Sequence, residues 1–344
     1  MKVKMHFKYL AILFLSAILN NPVYSLNSND IPALSSAQKW FSAWEMLSRN
    51  IYKLKTYHPV EFVFFDDQFI YSTSVISVPD GEIIEGPSLF NKKFIWKRKE
   101  HNGKITLPDK QIVPVGLMSF ASPMEGQKSF FVMPLLSFWQ TAGVESKEIG
   151  IELLVTGVFL HEFSHTQQMQ NFGKKMTTYE MNNKFAVNFS DDIVQDYFDK
   201  DSVYENKFRE EVSLFYNAAV AADRSGFNNL TTQALQIYNA RQANYFTENL
   251  KILKEIDDFF LTMEGIGQYS MYAWLIHPKG GNIATDIAVK AVRRGGRSWS
   301  QEEGLSLYLV LCKLIKPGRF AASMFGNEAV SVIDLIKKYM AARE

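Results

Sequence analysis

His161-Glu162-Phe163-Ser164-His165 constrains this 344-residue chain more than any other stretch. It directly follows a largely apolar run, Ile149 to Leu160. Helical positions four apart share one face, one turn above the other, so both imidazoles can reach a single metal ion. Glu162 then projects beside that ion, where a carboxylate can take a proton from a bound water. The plain alternative is a helix that happens to carry two histidines. The chain is therefore expected to build a buried helix near its middle and to bring further ligands to it.

The elements around this stretch predict an α+β fold. A helix is expected over residues 33–54, with Trp40, Trp44, Leu47 and Ile51 at helical spacing. Strands are expected at Val60–Phe65, Phe69–Val78, Phe94–His101, Lys104–Leu107, Gln111–Ser119 and Ser129–Leu135. Asn102-Gly103 is a strong two-residue turn signal between the third and fourth. The reading is a mostly antiparallel sheet of about five strands, with His101 at a hairpin tip. The motif helix should run from Ser146 to about Asn171 and stop at Gly173. Helices dominate thereafter: one capped by Ser190, then Tyr204–Arg224, Thr231–Glu248 and Leu250–Trp274. Ser300 and Glu303 form a capping-box pair for a helix ending at Pro317-Gly318, and Asn327 opens the last helix. The domain reading is residues 26–145 as an N-terminal helix plus sheet lobe, and 146–344 as a helical lobe carrying the metal.

Lys2, Lys4 and Lys8 precede an apolar run from Tyr9 to Leu19, and Val23-Tyr24-Ser25 offers a cleavage site. Residues 1–25 are read as a secretory signal, because the run is too short to span a bilayer. The expected location is periplasmic or extracellular, after cleavage near Ser25. The remaining 319 residues hold no apolar run long enough for a membrane span. Loss of three lysines leaves 34 basic against 36 acidic side chains, a formal charge of −2. A near-neutral chain with no basic block does not suit nucleic-acid binding. Cys312 is the one cysteine, so no internal disulfide forms, and it is read as a packed core thiol. The acidic run Asp191, Asp192, Asp196, Asp199 and Asp201 lacks the spacing of a calcium loop and is read as a solvated helix.

Catalytic zinc usually takes three protein ligands and leaves one position open. Gln168 and Asn171 stand where a metzincin would continue with glycine and histidine. His58, His101 and His277 sit on no convincing partner helix, so a carboxylate is the natural third ligand. Two compete. Glu264 follows Leu253, Ile256, Phe260 and Met263, and is flanked by Gly265 and Gly267, which suggest a close neighbour, expected to be the motif helix. Glu211 shares a stripe with Phe215 and Ala218. If Glu211 is not a ligand, it can receive an imidazole N–H or pair with Arg241.

With its H-E-x-x-H and Glu264-Gly265-Ile266-Gly267-Gln268-Tyr269, the chain resembles gluzincin-type metallopeptidases, and is similar to secreted bacterial proteins of that kind. The resemblance covers roughly residues 130–320. It implies one Zn2+ ion on His161, His165 and Glu264, with Glu162 as general base. Glu264 lies 99 residues beyond His165, farther than in thermolysin-like enzymes, which requires an insertion of helices and keeps Glu211, 46 residues beyond, in competition.

The expected activity is hydrolysis of peptide bonds in a peptide or protein substrate. Tyr269, Tyr272, His277 and Arg241 are candidates to stabilise the oxyanion. By resemblance, substrate would lie along a sheet edge, and Ser129–Leu135 is the expected strand. Rival readings are a metal-binding or structural protein without turnover, and a zinc hydrolase of a non-peptide bond.

Overall fold

A computed structural model of the chain describes residues 34–124 and 128–342. The stretch read as an export signal lies outside the described residues. The fold is α+β. In order the elements are α1 (Ser35–Met46), β1 (Val60–Phe65), β2 (Phe69–Ser72), β3 (Glu82–Ile84), β4 (Trp96–Glu100), β5 (Lys104–Thr106), β6 (Ile112–Pro114), β7 (Phe120–Met124) and β8 (Lys128–Pro134). Then follow α2 (Leu136–Thr141), α3 (Ile151–Gln168), α4 (Lys174–Asn182), α5 (Ile193–Phe198), α6 (Ser202–Val220), α7 (Arg224–Tyr245) and α8 (Leu253–Ile276). The chain closes with α9 (Thr285–Val292), α10 (Trp299–Leu314), α11 (Pro317–Phe325) and α12 (Val332–Ala341). Among the described residues no helix is long and apolar enough to cross a membrane.

The contacts divide the chain into two compact units, and the division does not fall at residue 145. One unit joins the described part of Tyr9–Met169 to Ser270–Ala291. It holds the sheet and α3. The other joins Gln170–Tyr269 to Val292–Glu344.

In the first unit the main sheet has six strands in the order β3-β4-β2-β1-β8-β7. It is mixed, because β1 and β8 run parallel while the other pairs are antiparallel. Alternate side chains leave opposite faces of a strand. On one face Phe62, Phe64 and Phe131 meet Phe41, Trp40 and Phe159 from α1 and α3. On the other, Val63, Phe65, Phe130 and Val132 join Ile105 and Val113 of the small β5-β6 sheet. With both faces covered, β1 and β8 read as nearly continuous apolar runs.

Several expectations need correction here. The Asn102-Gly103 turn does not close a hairpin between β4 and β5. Gly103 takes φ +82°, but β4 pairs with β2 and β3, while β5 pairs with β6. The expected strand to Val78 stops at Ser72, and the strands β3 and β7 were not expected. The first helix changes to a π-helical turn over Leu47–Tyr52. Gly173 does not stop the motif helix. A π-helical turn, Met169–Gly173, carries it into α4, and Gly173 keeps helical φ of −60°.

The second unit is helical. α6 and α7 form an antiparallel pair, and α10 packs on α6 and α12. Asp201 caps α6 by accepting from the Val203 and Tyr204 N–H groups. Ser331 caps α12 in the same way. Ser190 caps nothing, because α5 starts three residues later with Asp192 at its N-cap. Ser300 and Glu303 form no capping box, since α10 starts at Trp299 and Glu303 turns to Arg241. A stripe of small residues lets α8 and α10 approach. A Cβ on Gly265 would stand 2.8 Å from the Gly304 backbone, so the close neighbour of Gly265 is α10 and not the motif helix.

Candidate metal centre

The motif lies in the second half of α3, and its orientation is fixed by Phe163. That ring stacks on Phe159 at 5.2 Å, lies parallel to Phe62 at 5.8 Å and meets the edge of Trp44 at 5.1 Å. Phe163 is two residues from each histidine and so points to the other side of the helix. Anchoring it in the aromatic core aims His161 and His165 away from the sheet. The C-terminal half of α8 closes on α3 at two points. A Cβ on Gly157 would stand 2.7 Å from the Met271 side chain. Further along, the Ser164 hydroxyl donates to Ser270 Oγ at 2.9 Å, and Ser270 also shares a 2.7 Å hydrogen bond with Tyr52.

The His161 and His165 rings stand nearly perpendicular, and their Nε2 atoms are 3.1 Å apart. Glu264 completes a group in which one ligand atom from each of the three residues lies within 4.8 Å of the others. All three are buried, as is Glu162. Zinc bonds of 2.0–2.2 Å in a tetrahedron set neighbouring donors about 3.3–3.6 Å apart. At 3.1 Å the histidine pair stands slightly inside that spacing, so a small rotation of either ring would meet it. The donor set of two imidazoles and a carboxylate suits zinc and leaves one position open.

Two amides hold the ligands. His165 Nδ1 is 3.0 Å from Gln168 Oε1. With its proton on Nδ1, His165 donates to this oxygen and presents the Nε2 lone pair to an ion. Gln301 Nε2 donates to Glu264 Oε2 at 3.1 Å, and Arg294 Nε donates to Gln301 Oε1 at 2.7 Å. Neither glutamine stood out in the sequence. Gln168 sits three residues past His165, one helical turn on, which is the signal that would have found it. Gln301 has no such signal.

The electrostatics also favour a cation. Burial, with Glu264 as the next cause, holds Asp191 well above the usual carboxylate range. The same two causes push Asp192 up to about 6. The acidic run is thus not a plainly solvated helix: both residues are half-buried and feel the Glu264 charge.

The other candidates are placed elsewhere. Glu211 is buried against Arg241, whose Nε and Nη2 donate to its two oxygens at 2.9 and 3.2 Å. Glu211 is therefore the partner of Arg241, one of the alternatives open in the sequence. Arg241 also donates to Glu303, Asp257 and the Tyr204 hydroxyl, which engages its guanidinium fully inside the helical unit. Tyr269 stacks on Tyr308 at 6.0 Å and its hydroxyl bonds Cys312, so it packs α8 against α10. Cys312 is half-buried and unpaired with any other cysteine. Tyr272 is buried on α8. His277 lies just past the end of α8, thirteen residues from Glu264 or about 20 Å along a helix. Its Nδ1 accepts from the Lys279 N–H in a local turn. His101 is half-buried, with Nε2 at 2.9 Å from the Asp66 carbonyl. The expected substrate strand, β8, is interior, paired with β1 on one side and β7 on the other. The free edge on that side of the sheet belongs to β7.

Comparison with family models, with curated proteins and with solved structures finds no match.

Proposed function

We propose that this chain is an exported zinc metallopeptidase of the gluzincin type. His161, His165 and Glu264 hold the ion, Glu162 is the general base, and β7 offers the strand edge to an extended peptide. The observation that supports this most is the convergence of Glu264 with the two histidines across 99 residues of sequence. Bound there, zinc would polarise a carbonyl and bring the pKa of a water towards ~7. Glu162, next to His161 on the same helix, would take the proton and pass it to the leaving amine. Its burial keeps that carboxylate in a low dielectric, where a proton transfer is felt strongly. The amides of Gln168 and Gln301 hold the ligands in place while the proton moves.

A second reading is a metal-holding protein without turnover, favoured by the full burial of the three ligands and Glu162. Two features weigh against it. Structural zinc usually has four protein ligands, and three are brought together here. A scaffold also has no use for Glu162. A zinc hydrolase of a non-peptide bond needs the same residues.

The test is a panel of peptide and non-peptide substrates offered to the purified chain and to Glu162→Gln. Peptide cleavage that falls at least ~100-fold in the variant, with zinc content unchanged, supports the proposal. Undiminished cleavage in the variant contradicts the assigned base. One bound zinc with no turnover of any substrate supports the scaffold.

A further inference from the structure

The first unit carries a cleft of about 430 Å³, lined by Arg49, Leu54, Lys55, Thr56, Tyr57 and Phe90. That volume is in the range of sites that take a small ligand or a short side-chain cluster. Its polar lining consists of a guanidinium, an ammonium and two hydroxyls, the last able to donate or accept. No carboxylate lines it. A nearby acid, Glu45, is engaged behind the wall. Its Oε1 accepts from the Phe90 N–H at 2.6 Å and its Oε2 is 3.6 Å from Arg49.

The wall is built at a cost. Leu89 and Lys92 exchange both backbone hydrogen bonds around Phe90 and Asn91, which take φ of +51° and +63°. Such a two-residue turn normally carries Asn or Gly, because a side chain with a Cβ strains there. Phenylalanine at its first position is held by Glu45 from behind and by stacking on Tyr57 at 5.1 Å. Arg49 lies 5.4 Å from the same ring. Strain of this kind persists where surrounding structure enforces it, commonly at ligand clamps. A further sign is the Tyr57 hydroxyl, which is buried and has no hydrogen-bond partner among the described residues. A buried donor of this type calls for an acceptor.

The cleft is tied to the motif helix. The residue after Tyr57, His58, donates its backbone N–H to Gln167 Oε1 at 2.7 Å, and Gln167 Nε2 returns a bond to the His58 carbonyl. Gln167 is two residues beyond His165.

We propose that this cleft is a recognition pocket for an acidic segment of a peptide, with carboxylates received by Arg49, Lys55 and the Tyr57 hydroxyl over the aromatic floor of Tyr57 and Phe90. The two cations, Arg49 and Lys55, set the charge of the occupant. Its choice as a peptide rests on the peptidase reading and on the tie to the motif helix.

The experiment is fluorescence anisotropy with a labelled peptide carrying adjacent Asp and Glu, and its Asn-Gln isostere, on the full chain bearing Glu162→Gln. The acidic peptide should bind at least ~10-fold more tightly, and the preference should weaken with salt. Lys55→Gln, at an exposed position, and Tyr57→Phe should each reduce the preference without changing affinity for the isostere. Equal binding of the two peptides, or a preference unchanged in both variants, would overturn the pocket. Displacement by inorganic phosphate as effective as by the acidic peptide would also overturn it, as a plain anion site. Repeating the measurement with His161→Ala separates the two proposals: preference retained there, without hydrolysis by the wild-type chain, leaves the pocket standing and sinks the peptidase.

Discussion

His161 Nε2 and His165 Nε2 lie 3.1 Å apart. If His165 keeps its proton on Nδ1 for Gln168, the metal-free pair needs His161 to donate from Nε2. An ion replaces that N–H···N bond by taking both lone pairs, and His161 must carry its proton on Nδ1 instead. Zinc should therefore stabilise the folded chain while shifting the His161 proton from Nε2 to Nδ1. At a thousandfold excess over the dissociation constant the gain is about 4 kcal/mol. Thermal unfolding should shift up by several degrees with zinc and return with a chelator, and His165→Ala should show no shift. An equal shift in that variant would assign the stabilisation to other residues.

On the proposed assignment, Gln168 and Gln301 would hold the ligands without touching the ion. Replacing either by leucine removes one hydrogen bond to an imidazole or a carboxylate. Such partners are typically worth about 10–100-fold in metal affinity. Competitive chelator titration should find a loss of that size in both variants. Unchanged affinity in both would make the amides incidental.

Gly265→Ala tests how Glu264 is aimed. The new methyl would stand 2.8 Å from the Gly304 backbone, which cannot move like a flexible side chain. Overpacking should cost about 1–3 kcal/mol in urea unfolding, and the shift of α8 should weaken zinc binding through the neighbouring Glu264. Full stability and full affinity would mean that the contact between α8 and α10 is loose.

The buried Arg241 cluster sets an unusual pH dependence. Asp257 is pushed from 3.8 to about 6, by burial first and against the opposing pull of Arg241. An acid with a folded pKa above its unfolded value binds its proton more tightly when folded. Its contribution is thus greatest below about pH 4 and is lost as pH rises towards about 6. That contribution is on the order of 2–3 kcal/mol. Unfolding of the His161→Ala chain, which removes the metal linkage, should give a slope of that sign between pH 4 and 6. Asp257→Asn should reduce it, leaving the part that Asp191 and Asp192 contribute. A slope unchanged by that substitution would place its origin elsewhere.

Much of the candidate site was legible because it depends on spacing. His161, Glu162 and His165 need only a helix, and Glu264 follows an apolar helical pattern that points it inward. Glu211 could not be set apart from Glu264 in sequence, because both are buried acids on helices. What separates them is Arg241, reached from a third helix. The sheet was partly legible. β1 declared itself by β-branched and aromatic residues, but its parallel pairing with β8 is a long-range choice that no local pattern carries. The same limit explains the Asn102-Gly103 turn. A local hairpin signal was overridden by β4 pairing with β2 and β3. Tyr269 was placed at the site by its motif context, whereas packing against Tyr308 decides where its ring goes.

The most direct test of the central claim is the zinc content of the purified chain beside His161→Ala, Glu264→Ala and Glu211→Gln. About one zinc per chain is expected in the wild type and in Glu211→Gln, which should lose stability through Arg241 but keep the ion. Little or none is expected in His161→Ala and Glu264→Ala. Zinc retained in Glu264→Ala and lost in Glu211→Gln, or no zinc in the wild type prepared without chelators, would contradict the assignment.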